Sequence, residues 1–112
     1  MIDSYDFGRI VIDGKRYNSD LIIFPDKVMD YWWRNEGHRL HIQDLKDVLE
    51  AKPEVLVVGT GYSGLLTIPP ETRKHVESEG IEIIAQRTAE ACKTFNRLIK
   101  SRKVVAALHL TC

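Results

Sequence analysis

A short apolar run followed at once by a glycine-rich loop is the feature that most constrains the fold of this 112-residue chain. Residues 55–58, VLVV, contain no polar side chain, so they predict a strand that is buried on both faces. Such strands are typical of parallel sheets in α/β proteins. Residues 59–64, GTGYSG, follow directly, and ligands in open α/β sheets bind beyond the carboxyl ends of strands. The segment therefore predicts an α/β sheet with a candidate site at one edge.

The patterns elsewhere in the chain fit the same architecture. Asp13-Gly14 lies between two short extended runs and is a strong signal for a two-residue hairpin. The further predicted strands are residues 20–24, 54–59, 81–85 and 104–108, with a weak candidate at 27–34. The predicted helices are residues 42–49, Pro69 or Pro70 to Ser78, and Thr88 to Ile99. This alternation predicts helices on both faces of a largely parallel sheet, with an N-terminal hairpin added.

Length and composition predict one folded domain over residues 1–112, because 44% of the residues are apolar and 29% are charged. No apolar run approaches the ~20 residues that a membrane-spanning helix needs. The first residues have no apolar stretch and do not resemble a secretory or transit peptide, so we expect a cytoplasmic protein without membrane insertion. A net charge of zero makes nucleic acid an unlikely general partner.

The glycine-rich loop allows two interpretations. Gly59, Gly61 and Gly64 match G-x-G-x-x-G, but the next helix starts too late to place its N-terminus against a pyrophosphate, which disfavours dinucleotide binding. One interpretation is a tight turn that needs glycine for backbone reasons. The other is a nest of backbone N–H groups for an anion or a nucleotide-like ligand. The candidate ligand-binding residues are Gly59, Thr60, Gly61, Ser63, Gly64 and Thr88, the last also being a candidate helix cap.

Metal-binding and catalytic constellations are not predicted. His38 with His41 and His109 with Cys112 offer two ligands each, but neither spacing is typical of zinc sites. Cys92 falls on the apolar stripe of a predicted helix and is expected to be a core thiol. We therefore expect no cofactor and no metal. If the last strand runs parallel to residues 54–59, His109 lies at the same sheet edge as the glycine-rich loop.

Two groups of residues are candidates for binding another protein. If Trp32 and Trp33 lie on a strand, one points inward and the other outward, and an outward tryptophan can anchor a contact. Lys93, Arg97 and Lys100 share one helix face, which could dock an acidic partner or RNA, although such faces are more often simply solvated. RNA binding is the weakest of these hypotheses. A monomer or weak homodimer is expected.

Three stretches together resemble a known family of domains of unknown function. They are the run from Leu45 through residues 53–61, the run from Ile81 through Thr88-Ala89 to Phe95-Asn96, and the tail at residues 105–112. The family includes archaeal and bacterial hypothetical proteins, the adipogenesis-associated Mth938-domain protein and the third mitochondrial complex I assembly factor. This chain looks most like the short archaeal type. The resemblance covers nearly the whole chain.

The resemblance implies a three-layer α/β fold, in which helices flank a central mixed, mostly parallel five-stranded sheet and extra β structure lies on one side. One strand of the sheet is expected to be antiparallel. The mitochondrial members act as non-catalytic assembly factors, so the first functional hypothesis is a non-catalytic protein-interaction or assembly-type factor with an unknown protein partner. The alternative is a small-ligand-binding protein or an uncharacterised enzyme that uses the glycine-rich loop.

Overall fold

Two β-sheets and three α-helices make up the fold in a computed structural model that describes residues 1–112. A three-stranded antiparallel sheet consists of β1 (Ile2–Asp6), β2 (Arg9–Ile12) and β3 (Lys15–Tyr17). The central sheet has five strands, β4 (Leu21–Ile23), β5 (Val28–Met29), β6 (Val55–Gly59), β7 (Glu82–Gln86) and β8 (Val104–Leu108), in the order β5-β4-β8-β6-β7. The helices are α1 (Lys46–Ala51), which follows a 3₁₀ turn at Ile42–Leu45, α2 (Pro70–Ser78) and α3 (Thr88–Leu98).

Local sequence chemistry explains several of these elements. Ile12 pairs with Lys15 across Asp13-Gly14, whose φ angles of 49° and 80° match the left-handed pair that a two-residue hairpin of type I′ needs. Helix α2 begins at Pro70, where the missing N–H costs no hydrogen bond. Gly80, with φ of 79°, lies just past its end. The predicted hairpin and the predicted bounds of α2 are confirmed.

The central sheet is mixed and mostly parallel, as expected. Strand β6 pairs in parallel with both β7 and β8, whereas β4 is antiparallel to β8 and to β5. The reversed strand is therefore β4, and the carboxyl ends of β6 and β8 lie at one edge. The His109 N–H donates to the Gly59 carbonyl at 3.0 Å, which confirms that His109 and the glycine-rich loop share that edge.

The hydrophobic core consists of two clusters, one on each face of the central sheet. Successive residues of β6 point to opposite faces, so Val55 and Val57 join one cluster while Leu56 and Val58 join the other. The first cluster is covered by α3 and the three-stranded sheet, and the second by α1, α2 and the segment around Trp32. This arrangement is the three-layer fold that the resemblance implied. No helix is long and apolar enough to cross a membrane.

Three local expectations differ from the structure. Strand β1 was not predicted, because only its first residue, Ile2, is buried while most of the others are polar and exposed. Within residues 27–34 only Val28–Met29 is a strand. Thr88 does not cap α3, because Arg87 occupies the cap position and the Thr88 side chain bonds elsewhere.

Candidate functional site

The C-terminal tail, residues 109–112, lies against the glycine-rich loop and uses its hydrogen-bond donors. The Tyr62 N–H donates to the Thr111 carbonyl at 3.3 Å, and the Leu65 N–H donates to the Cys112 carbonyl at 3.1 Å. The Thr60 N–H of the loop donates to the Gln86 carbonyl of β7 at 2.8 Å, and the Gly64 N–H donates to the Gly61 carbonyl within the loop at 3.3 Å. A ligand that used these N–H groups would have to displace bonds within the chain. Ser63 is exposed at the loop tip.

Two of the glycines are required by close packing of the backbone. Gly61 has a φ of +111°, and a Cβ atom there would lie 2.6 Å from both the Cys112 carbonyl carbon and the Thr111 oxygen. A Cβ at Gly59 would lie 2.8 Å from Leu108 Cδ2 and from Thr88 Oγ1. Both distances are far below ordinary contact, so these glycines allow the tail and α3 to approach. The ligand-binding role of the loop stays a prediction.

Thr88 links the loop to the tail through its side chain. Its hydroxyl donates to the His109 carbonyl at 2.6 Å and accepts the Gly61 N–H at 2.9 Å, and the residue is fully buried. The Thr88 N–H also donates to the Gly61 carbonyl at 3.1 Å. Thr88 therefore satisfies buried backbone groups of two segments that are distant in sequence.

Replacing Thr88 with valine is expected to lower the free energy of unfolding by about 2 kcal/mol, because valine keeps the shape but leaves the Gly61 N–H and the His109 carbonyl without this partner. Urea denaturation measures the loss. The control is Thr67→Val, since Thr67 is exposed and its hydroxyl bonds only the His38 carbonyl. A loss for Thr88→Val no larger than that of the control would contradict the linking role.

A buried ionic cluster formed by Asp20, Arg34 and His109 lies beside the tail. Asp20 Oδ2 is 2.7 Å from His109 Nδ1 and 2.9 Å from Arg34 Nη1, while Asp20 Oδ1 accepts the Leu110 N–H at 2.7 Å. The side chains of Arg34 and His109 are only 5% and 6% exposed. A carboxylate can only accept, so the short contact requires a proton on His109 Nδ1. The 3.2 Å approach of Arg34 Nη2 to the same nitrogen then joins two donors and is not a hydrogen bond.

Two buried nitrogen atoms of the ionic cluster lack hydrogen-bond partners. Arg34 Nη1 and His109 Nε2 are buried side-chain atoms without a hydrogen-bond partner, since the contact of Nη1 with Asp20 is close but poorly aligned. Burial alone would raise the pKa of the Asp20 carboxyl. The hydrogen bonds from His109 and the Leu110 N–H, the charge of His109 and the close contact of the Arg34 guanidinium outweigh it, so the pKa lies below its ordinary value.

The lowered pKa of Asp20 predicts a loss of stability in acid. Because the folded pKa is below the unfolded value of about 3.9, the contribution is fully present above that value and disappears as the pH falls through the folded pKa. Urea denaturation from neutral pH to below about pH 3 should therefore show a smaller acid-dependent decrease for Asp20→Asn than for the wild type. Equal decreases for the two proteins would show that Asp20 does not titrate at a lowered pKa.

Asp20 also holds the aromatic segment at residues 30–33, which we call the aromatic loop. Its carbonyl accepts the Trp32 N–H at 2.9 Å, and the Ser19 hydroxyl oxygen accepts the Tyr31 N–H at 3.0 Å. The Trp32 indole N–H donates to the Asp44 carbonyl at 3.0 Å, and the Arg34 guanidinium lies 4.8 Å above the Trp32 ring. The loop is thus fixed to the residues just before β4, to the 3₁₀ turn and to the ionic cluster.

The fixed loop exposes aromatic surface. Trp32 is 5% exposed, whereas Tyr31 and Trp33 are 66% and 82% exposed. Tyr31 has a φ of +54°, a conformation that bulky residues adopt at a cost and only where the surroundings impose it. One tryptophan points inward and the other outward, but both lie in an irregular segment and not on the strand for which the sequence predicted this alternation.

Comparison with known proteins identifies the family. Residues 2–109 match the family described as "Protein of unknown function (DUF498/DUF598)". The chain belongs to the DUF498 family. The crystal structure of a conserved hypothetical protein from Pyrococcus horikoshii, PH1505, superposes on this chain with a TM-score of 0.85. The two sequences are 32% identical, and the match covers 100% of this chain and 99% of the PH1505 chain.

Named relatives of this DUF498 chain come from animals and bacteria. NADH dehydrogenase [ubiquinone] 1 alpha subcomplex assembly factor 3 of Xenopus tropicalis is 28% identical over 95% of this chain, which spans 58% of that protein's length. A 13 kDa major membrane protein of Francisella tularensis is 28% identical over 93% of this chain and 85% of its own length. The DUF498 chain therefore matches just over half of the assembly factor.

The other predicted interaction residues of the DUF498 chain lie elsewhere. Lys93, Arg97 and Lys100 are exposed on or just beyond α3, and Lys93 is 3.7 Å from Glu90. Because α3 covers the first core cluster and Trp32 packs in the second, the basic residues and the aromatic loop lie on opposite faces of the central sheet. They cannot form one continuous surface.

The remaining candidate residues of this DUF498 chain are Cys92 and the histidines. Cys92 is buried, and burial raises the pKa of its thiol to about 12, so it is a core thiol as expected. No group of three or more His, Cys, Asp or Glu side chains is arranged to hold a metal ion. His109, which the sequence offered as a metal ligand of untypical spacing, belongs to the ionic cluster. Asp20 and Arg34 gave no sequence signal, because their partner His109 is 89 and 75 residues away.

Proposed function

We propose that this chain is a non-catalytic interaction module of the assembly-factor type, and that its partner docks on the aromatic loop. The observation that carries the proposal is Trp33, whose side chain is 82% exposed on a segment that is otherwise anchored. Tryptophan buries a large apolar area when it is covered, and it is enriched among the residues that dominate binding energy. Exposed Tyr31 next to it enlarges the apolar surface.

The anchoring of the loop supports the same function. Binding usually costs conformational entropy, because loops and side chains become ordered when the partner arrives. Here the backbone on the N-terminal side of Trp33 is held by the bonds of Tyr31 and Trp32, and Arg34 on its other side belongs to the ionic cluster. The indole of Trp33 can therefore be covered at a small ordering cost.

The relatives add support from outside the structure. Several animal relatives are named as assembly factors, among them those of Xenopus tropicalis and Homo sapiens. That name suggests a role in contacting other proteins. Because this chain spans 58% of the length of those relatives, the identity of their partners is not carried over. The cytoplasmic location expected from the sequence, and the small-ligand alternative at the glycine-rich loop, stay predictions.

Site-specific photo-crosslinking in intact cells tests the proposal. A photo-reactive phenylalanine analogue at position 33 is expected to give a discrete covalent adduct with another protein. The same analogue at position 97, on exposed α3, serves as the matched control and tests the basic face at the same time. Adducts at position 97 alone would move the interaction to the basic face, and adducts at neither position would contradict a stable protein partner.

A further inference from the structure

A groove beside the aromatic loop shows which chemistry a partner needs. The groove has a volume of about 470 Å³. Tyr31, Trp32 and Trp33 line one side of it, and the charged lining residues are Asp30, Asp44, Asp47 and Lys46. Three carboxylates thus face one ammonium group, so the groove is net acidic.

The carboxylates of this groove are largely unpaired within the chain. Asp30 and Asp47 are exposed and take part in none of the chain's ion pairs, and neither does Lys46. Asp44 differs, since its two oxygens accept the Asn35 N–H at 3.1 Å and the His41 N–H at 2.9 Å. Asp30 and Asp47 therefore remain free to meet a cation from outside.

Resting on the proposed function, we propose that the partner is a protein that inserts a basic segment into this groove, with an arginine as its anchor. The arginine places its charge between Asp30 and Asp47 and its planar guanidinium over the Trp33 ring. Arginine suits both contacts, because its planar group stacks on aromatic faces and pairs with carboxylates. The chain itself contains a similar arrangement, since the Arg34 guanidinium lies over the Trp32 ring while it contacts Asp20.

Selection from a display library of random linear peptides on the immobilised protein tests the inference. Enriched peptides are expected to combine Arg with an apolar residue. The affinity of a selected peptide, measured by titration, should fall about tenfold in the double variant Asp30→Asn/Asp47→Asn, which corresponds to two exposed charge pairs. It should also weaken as salt is raised. The double variant Glu77→Gln/Glu79→Gln, which changes the charge equally at exposed sites on and after α2, should leave the affinity unchanged.

The outcomes separate this inference from the proposed function. Peptides that require Trp33, as shown by Trp33→Ala, but that are neutral or acidic or bind the Asp30→Asn/Asp47→Asn variant equally well would overturn the basic anchor and leave the docking surface intact. The absence of enriched peptides would also overturn the inference of a basic linear segment. Peptides that bind Trp33→Ala as well as the wild type would count against both proposals.

Discussion

Replacing Asp20 with asparagine is expected to lower the free energy of unfolding by about 4 kcal/mol, because removing one partner of a buried ion pair leaves the other charge uncompensated. The Arg34 side chain, which is only 5% exposed in the native protein, would remain buried in a site that no longer holds a carboxylate. The same change removes the charge that His109 Nδ1 contacts at 2.7 Å. Urea denaturation at neutral pH measures the loss.

The control for this prediction is Glu90→Gln, which breaks the exposed pair with Lys93. An exposed pair contributes less than about 1 kcal/mol, so the control should be nearly neutral. If Asp20→Asn proved no more destabilising than Glu90→Gln, the cluster would not stabilise the fold. A second expected consequence is weaker anchoring of the aromatic loop, since Asp20 joins Trp32, Arg34 and the tail.

Replacing Gly61 with alanine is expected to lower the free energy of unfolding by about 3 kcal/mol, the sum of a left-handed backbone penalty and the overpacking of a filled site. The new Cβ would meet backbone atoms of Thr111 and Cys112 at 2.6 Å. Backbone cannot swing away as a flexible side chain can, so the tail has to move. Urea denaturation of the purified variant measures this loss.

Two other glycines provide a graded comparison. Gly80 has a φ of +79°, but a Cβ atom added there would have no neighbour within 4 Å, so Gly80→Ala should cost only the backbone penalty of about 1 kcal/mol. Gly37 has neither a positive φ nor a neighbour, so Gly37→Ala should be close to neutral. Equal losses for Gly61→Ala and Gly80→Ala would contradict the close approach of the tail. Ser63→Ala, at the exposed loop tip, is the cleaner change for testing ligand binding.

Local chemistry explains which parts of the fold could be predicted from the sequence. The Asp13-Gly14 turn and the proline start of α2 depend on residues next to one another, and an apolar run such as β6 indicates a buried strand whatever its partners are. Strand β1 was not predicted, because its exposed residues are polar and no apolar pattern indicates a strand. Its position depends on antiparallel pairing with β2, which the local sequence does not show. The family resemblance supplied the layer order.

The residues of the site were less predictable, because their roles depend on distant partners. Thr88 resembled a helix cap from its neighbours alone, but its hydroxyl bonds residues 21 and 27 positions away. Asp20 lies in a predicted strand and shows its importance only when the fold brings His109 beside it. Trp33 was predicted as one of two candidates, and only the packing of Trp32 decides which ring is exposed.

The most direct test of the account is the affinity of the protein captured by crosslinking at position 33, measured by calorimetry for the wild type and for Trp33→Ala. We expect binding to weaken by about 30-fold or more, which corresponds to about 2 kcal/mol for a central anchor residue. The free energy of unfolding should change by less than about 0.5 kcal/mol, because the side chain is exposed. An affinity that changes by less than about threefold, with the fold intact, would contradict the central claim that Trp33 anchors the partner.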